Sequence, residues 1–171
     1  MTLTRLSLIS LLVLLVGGCG FHLRNTATVP DHLQPIYVGG DASFGALGQR
    51  LRIKLLDDSV QVVRNPAEAA YQLIVSDQYH QARNASIDQR GRVAESALFT
   101  GATFELRDSS GRTVWGPLLV EERRTVINNP DNITATNEEI ELTREEMLDS
   151  LAARILRRAG AYQPDAAATS N

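Results

Sequence analysis

The sequence is poor in the residues that would define several classes of protein. One cysteine in 171 residues excludes an internal disulfide framework and a cysteine-rich metal site. The 20 Asp and Glu nearly balance the 17 Lys and Arg, so the chain is not a globally basic nucleic-acid binder. Aromatic residues make up only 5%, but hydrophobic residues reach 43% and charged residues 22%. This balance is typical of a folded domain and excludes a mostly disordered chain.

The motifs of several common enzyme classes are also missing. The three histidines, His22, His32 and His80, are isolated and do not form the HExxH pattern of zinc proteases. Neither a G-x-S-x-G nucleophile elbow nor a P-loop occurs. We therefore expect a protein without catalysis, cofactor or metal site.

A long hydrophobic run occurs once, close to the start of the sequence. Arg5 precedes eleven uncharged residues, LSLISLLVLLV, and two glycines follow them. This order is typical of a secretory signal, and the run is shorter than the ~20 residues that span a bilayer. We predict that residues 1–18 are a signal peptide and that residues 19–34 are a tether leading into the fold.

The single cysteine, Cys19, follows the sequence Leu-Val-Gly-Gly, which resembles a bacterial lipobox. Its thiol would accept diacylglycerol and the new amino terminus would be acylated, and several acyl chains hold a membrane far better than one. The alternative is an ordinary signal peptide with a coincidental cysteine. In Gram-negative lipoproteins Asp at the next position favours the inner membrane, so Gly20 favours the outer membrane. Phe21 and His22 are predicted to lie at the membrane interface.

The rest of the chain alternates between the periods of strands and helices. Short apolar runs predict a strand at residues 36–38 and an extended piece at residues 60–63. Between them, Ser43 is predicted to cap an amphipathic helix. Its apolar stripe has helical spacing: Phe44, Leu47, Leu51 and Leu55.

Three longer segments have the alternating polarity of strands. They cover residues 71–87, 94–106 and 113–127, and tight turns with glycine separate them. Pro117 predicts a bulge or an edge position in the third segment. The sequence therefore predicts an antiparallel meander that needs cover on one apolar face.

A second helix follows an asparagine-rich loop. Thr136 and Glu139 have capping-box spacing, and Gly160 suits the position just past the helix end. Two amphipathic helices and a sheet predict an α/β fold, a two-layer sandwich with both helices on one face of a small, mostly antiparallel, mixed sheet. We place this single domain at residues 35–162 and a short polar tail at residues 163–171.

Several of these segments together carry a family resemblance. Residues 19–24 read CGFHLR directly after the lipobox, and Val-Pro follows at residues 29–30. An NNP loop at residues 128–130 precedes the last helix, which contains EEM at 145–147 and ends in ILRR at 155–158. This pattern resembles the LptE family of lipopolysaccharide-assembly lipoproteins over nearly all of the mature chain. CGFHLR is its most specific part.

The resemblance implies a function as well as a four-stranded sheet under the two helices. It implies a non-enzymatic subunit of the outer-membrane translocon that inserts lipopolysaccharide into the outer leaflet. The implied partner is the β-barrel protein LptD, bound one to one, inside which the subunit sits as a plug and which it helps to assemble. The subunit would also bind lipopolysaccharide. The alternative is a structural or adaptor lipoprotein of another envelope complex.

Lipopolysaccharide carries phosphates, and a site for them should offer arginine or lysine. Arg90 and Arg92 flank Gly91 at the predicted turn between the first two long strands, where the family carries basic residues linked to lipopolysaccharide. The family's basic residue aligns with Gln89, next to Arg90, and a second one falls near the uncharged Thr136. The alternative is that both arginines are merely solvated at a hairpin tip.

Other arginines and aromatic residues are predicted to have structural roles. Arg123 and Arg124 follow two glutamates and are expected to pair with them locally. Three arginines suit the C-terminal end of the last helix: Arg154, Arg157 and Arg158. Three aromatic residues in strands are expected to pack in the core, with contact to acyl chains or the barrel wall as the alternative: Phe99, Phe104 and Trp115.

Overall fold

Two helices cover one face of a five-stranded sheet in the computed structural model, which describes residues 29–164. The helices and strands follow in the order β1 (Ile36–Gly39), α1 (Ala46–Asp57), β2 (Val62–Val63), β3 (Tyr71–Ile87), β4 (Val93–Asp108), β5 (Thr113–Ile127) and α2 (Ile133–Gly160). Three short 3-10 helices lie in the connections: Asp31–Leu33, Asp41–Phe44 and Pro66–Glu68. The predicted two-layer α/β sandwich is therefore confirmed.

Several predictions fall on residues outside the described part of the chain. These are the signal peptide, the lipid anchor at Cys19, the membrane contact of Phe21 and His22, and the tail from residue 165 onward. They stay predictions.

The sheet has the strand order β2-β1-β3-β4-β5. β1 pairs in parallel with β2 and with β3, whereas β3, β4 and β5 form the antiparallel meander. The fifth strand, where four were expected, is β2, whose residues pair with β1 at Ile36–Val62 and Tyr37–Val63. A strand of two residues carries too little alternation to be recognised from sequence.

Two of the three strands of the meander have the bounds that their alternation predicts. β3 and β5 begin and end at the predicted residues, and β4 is longer than predicted at both ends. Gly116 and Pro117 both lie opposite Glu105 of β4, which makes the predicted bulge in β5. Among the described strands β5 is an edge, where a proline costs no ladder hydrogen bond.

The core lies between the helices and the sheet. Trp115 packs edge-on against Phe104, with ring centroids 6.1 Å apart, so the core role predicted for these two residues is confirmed. Val29 and Leu33 are also fully buried, and the end of the predicted tether thus packs against the domain. Both layers supply further fully buried side chains: Leu47, Leu51, Leu55, Leu73, Leu106, Met147, Leu151 and Ile155.

The start of α1 differs from the prediction. Ser43 does not cap the helix, because its hydroxyl donates to the carbonyl oxygen of Gly40 at 2.7 Å and the helix begins only at Ala46. Phe44, expected in the apolar stripe, is 90% exposed. The preceding 3-10 turn lies so close to α1 that a Cβ on Gly48 would be 2.0 Å from the carbonyl oxygen of Ser43. This packing moves Phe44 out of the helical register.

The start of α2 also lies earlier than predicted. Asn132 caps the helix, with its side-chain oxygen accepting from the backbone N–H of Ala135 at 3.1 Å. The predicted capping box of Thr136 and Glu139 is therefore wrong. The Thr136 hydroxyl instead accepts from the backbone N–H of Asn129 at 3.0 Å, which ties the loop to the first turn of α2.

The apolar stripe of α2 should supply much of the stability of the domain. Leu151→Ala removes a fully buried side chain, and we expect a loss of about 2–5 kcal/mol in the free energy of unfolding. Leu142→Ala on the same helix is the matched control, because Leu142 is 67% exposed and its loss should change the value by less than about 0.5 kcal/mol. Urea denaturation measures both. Equal effects of the two substitutions would contradict the packing described.

Candidate functional site

The distal half of β3 is exposed and leads into a charged turn, whereas the distal half of β4 still has Leu98 buried against Met147 of α2. In β3 the last buried side chain is that of Val75, and residues 80–85 are exposed. The turn at residues 88–92 contains both arginines that the sequence singles out. The outer end of the hairpin is therefore polar and open to a ligand or a partner.

Asp88 holds this turn in place. Its carboxylate accepts from the backbone N–H groups of Arg90 at 2.8 Å and Arg92 at 2.9 Å, and from Nε of Arg92 at 2.9 Å. Gly91 has a φ of 75°, which a residue without a side chain adopts at no steric cost. The backbone hydrogen bond from Arg92 is the main cause that holds the pKa of Asp88 below its usual value. Asp88 is thus an anion throughout the neutral range.

The two arginines of the turn have different surroundings. Arg92 pairs with Asp88, and its guanidinium also lies 3.9 Å from the carboxylate of Asp131 in the loop before α2. The guanidinium of Arg90 has no hydrogen bond or ion pair within residues 29–164. The charge of Arg92 is therefore largely balanced inside the protein, whereas that of Arg90 is available to an external anion.

The turn and the loop before α2 form one end of the molecule. The backbone N–H of Asn128 donates to the carbonyl oxygen of Ala94 at 2.9 Å, and its side chain donates to the hydroxyl of Ser96 at 2.8 Å. Thr136, near which the family resemblance predicts a second basic position, is uncharged, only 8% exposed and hydrogen bonded within the loop. The cations of this end thus come from the hairpin turn.

The turn at the opposite end of β4 repeats the same design. Asp108 accepts from the backbone N–H groups of Ser110 at 2.9 Å and Arg112 at 3.1 Å, and from Nε of Arg112 at 3.0 Å. Gly111 has a φ of 81°. The Ser110 hydroxyl is the main cause that lowers the pKa of Asp108 to about 2. The two turns read DQRGR and DSSGR and differ at the second and third positions, where Gln89 and Arg90 in one correspond to Ser109 and Ser110 in the other.

A second cluster of cations lies on the sheet face away from the helices. Phe99 lies between the guanidinium groups of Arg83 and Arg123, at 5.0 and 5.6 Å from its ring centroid. The core position predicted for Phe99 is wrong, because β4 places it on the face opposite to Phe104. Counting residues by twos from Phe104 along the strand would have revealed this.

The glutamates before Arg123 and Arg124 have other partners than the predicted ones. Glu121 accepts a short hydrogen bond from the Tyr79 hydroxyl, and Glu122 pairs with Arg154 at 2.8 Å. Local pairing with the two arginines is therefore wrong.

Two of the three arginines near the end of α2 have a structural role, as predicted, although the contacts that they make were not predicted. Arg154 and Arg158 donate to the backbone carbonyl oxygens of Glu121 and Leu119 at 3.2 Å each. These carbonyls lie on the outer edge of β5, so the two guanidinium groups cover part of an edge that would otherwise be free to pair.

The described residues offer neither a membrane-crossing helix nor a metal site. No helix within residues 29–164 combines the length and the apolar character needed to cross a bilayer. In the same part of the chain, no three His, Cys, Asp or Glu side chains are grouped so that they could hold a metal ion. The described residues thus form a small α/β-sandwich domain with two arginines in the turn at one hairpin end.

Comparisons with known proteins give the family of this domain. The model of the family LptE, lipopolysaccharide-assembly, matches residues 33–159. The LPS-assembly lipoprotein LptE of Photorhabdus laumondii is 28% identical over 151 residues, which cover 88% of this chain and 82% of the relative. That of Yersinia enterocolitica is 30% identical over 154 residues, 88% of this chain and 72% of the relative. The chain belongs to the LptE lipopolysaccharide-assembly family.

Solved structures show the same fold. The solution structure of lipoprotein B from Nitrosomonas europaea has a TM-score of 0.70 at 21% identity, covering 83% of this chain and 91% of that one. Rare lipoprotein B from Shewanella oneidensis has a TM-score of 0.64 at 23% identity, covering 72% and 91%.

The titration of Asp88 tests the geometry of the hairpin turn. We expect its native pKa to lie below 3.8, because the N–H groups of Arg92 and Arg90 favour the carboxylate. A lowered native pKa means that the turn is stabilised above pH 3.8 and loses this contribution as the pH falls through the native value. NMR detection of the carboxyl carbon measures it.

The control for this titration is Arg92→Ala, which removes the guanidinium but keeps the backbone N–H. It should move the pKa of Asp88 only part of the way back to 3.8. A wild-type pKa at or above 3.8 would show that these hydrogen bonds do not form in solution.

Proposed function

We propose that this chain is a lipid-anchored subunit of the machinery that assembles lipopolysaccharide at the outer membrane of Gram-negative bacteria. The observation that carries the proposal is the family match over residues 33–159, which spans both layers of the sandwich. The relatives are called LPS-assembly lipoproteins and come from Gram-negative bacteria. The protein acts by binding and carries out no covalent chemistry.

The anchor of this subunit is Cys19, lipidated after removal of residues 1–18. The lipobox and the CGFHLR segment support this assignment. Phe21 and His22 follow the anchor closely and lie at the membrane interface. With Gly20 instead of Asp after the cysteine, the chain is carried to the outer membrane.

The protein partner is the LptD β-barrel, bound one to one with this subunit as a plug that also helps the barrel to assemble. The lumen of a large outer-membrane barrel is polar, so a plug needs a folded domain with a hydrophilic exterior. The described surface suits it, because the outward side of α2 carries exposed acidic residues and both hairpin turns are charged. Three of the exposed acids are Glu138, Glu145 and Asp149.

Lipopolysaccharide binds at the hairpin tip through Arg90, with Arg92 in a supporting role. A guanidinium can bind a phosphate through two parallel hydrogen bonds, and Arg90 has no ion pair to break within the described part of the chain. Arg92 holds the turn through Asp88 and adds positive charge beside it.

Substitution at the tip tests this site. Arg90→Ala should weaken lipopolysaccharide binding by the purified full-length protein about tenfold, the loss expected for one charge-assisted hydrogen bond. Arg112→Ala is the matched control. Arg112 has the same position in the turn at residues 108–112 as Arg92 has in the turn at residues 88–92, and it is not part of the proposed site. Titration calorimetry measures both. Equal affinities of the wild type and Arg90→Ala would reject the site.

Co-purification tests the role in the cell envelope. Isolation of the full-length protein under mild detergent should recover a large β-barrel protein in a one-to-one amount. Mass analysis of the recovered subunit should show an acylated Cys19 as its first residue. Recovery with another envelope complex would support an adaptor lipoprotein and contradict the proposal.

A further inference from the structure

A cleft lies at the carboxyl ends of the parallel strands β1 and β2, between these strands, α1 and the 3-10 turn before α1. Its volume is about 430 Å³, within the range of roughly 300–1,000 Å³ that small-molecule sites occupy. It shares no residue with the hairpin tip.

The apolar residues of the lining, called the apolar wall below, are partly exposed. Phe44 is 90% exposed and Leu56 is 61% exposed, and Tyr37 and Val63 also line the cleft. Single exposed apolar residues need no explanation, but a cluster of them around a concave surface is typical of a binding site. The close packing of the 3-10 turn on Gly48 holds Phe44 at this rim, outside the core.

The charged residues of the lining are both cations. The guanidinium of Arg52 donates to the carbonyl oxygens of Ser43 at 2.8 Å and Val38 at 3.0 Å, which fix its position without balancing its charge. Arg64 has no ion pair or hydrogen bond within residues 29–164, and no carboxylate lines the cleft. The cleft thus combines an apolar wall with two unneutralised guanidinium groups.

We propose that this cleft binds one anionic lipid, with its phosphate at Arg64 and Arg52 and its acyl chain against Phe44 and Leu56. Charge complementarity favours an anion, because both charged groups of the lining are positive. The apolar wall favours a hydrocarbon chain, which asks for no hydrogen-bond partners, over a peptide, whose backbone groups would need them. The site goes beyond the proposed function, which uses the hairpin tip.

The experiment uses native mass spectrometry to count the dodecyl phosphate molecules bound to the purified full-length protein. The protein is kept in a non-ionic detergent and is released from it in the spectrometer. One molecule should bind, and Arg64→Gln should weaken it about tenfold, as expected for one charge-assisted hydrogen bond. Phe44→Ser should also weaken it, whereas inorganic phosphate alone should bind far more weakly. Both residues are exposed, so their loss leaves the core intact.

Two substitutions serve as matched controls. Arg112→Gln removes an exposed arginine outside the cleft, and Ile133→Ser removes a side chain that is 68% exposed at the start of α2. Neither should change binding. Retained binding in Arg64→Gln and Phe44→Ser would overturn the proposal. Loss of binding in Arg90→Gln instead would place the lipid at the hairpin tip and would also overturn it. Equally tight binding of inorganic phosphate would show a simple anion site and would overturn it too.

Discussion

The packing of the α2 stripe on one face of the sheet is the contact on which the rest of the molecule depends. Met147, Leu151 and Ile155 are fully buried there, together with Phe104 and Leu106 of β4. A two-layer fold has helices for one sheet face only, so the other face stays open among the described residues. Because side chains alternate along a strand, each residue of β4 faces either the core or the open side. Phe99 therefore lies on the open side, between the guanidinium groups of Arg83 and Arg123.

The two hairpin turns share one local design. In each, an aspartate accepts the backbone N–H groups of the third and fifth residues, and a glycine adopts a positive φ. This framework fixes the turn whatever residue occupies its third position. At that position Ser110 adds a hydrogen bond to Asp108, whereas the guanidinium of Arg90 has no partner among residues 29–164. The turn is thus held without the side chain of Arg90, which is why the proposed site can use that side chain.

The strands with a strong and regular pattern could be predicted from the sequence, whereas the residues at which the two helices begin could not. The bounds of β3 and β5 follow from period-two alternation between glycine turns, which needs no knowledge of distant residues. Ser43 and Thr136 are of residue types that commonly cap helices, yet their hydroxyl groups form hydrogen bonds with the backbone of neighbouring segments. The site was predictable only as a charged turn. The difference between Arg90 and Arg92 depends in part on Asp131, which lies far along the chain and meets the turn only in the fold.

Site-specific photo-crosslinking in living cells tests the central claim, that the hairpin tip carries the lipopolysaccharide contact, most directly. In the full-length protein, a photoreactive residue replacing Gln89, beside Arg90, would be compared with one replacing Ser109 in the turn at residues 108–112. We predict a lipopolysaccharide adduct from position 89 and none from position 109. An adduct from position 109 alone, or none from position 89 in cells that export lipopolysaccharide, would contradict the account.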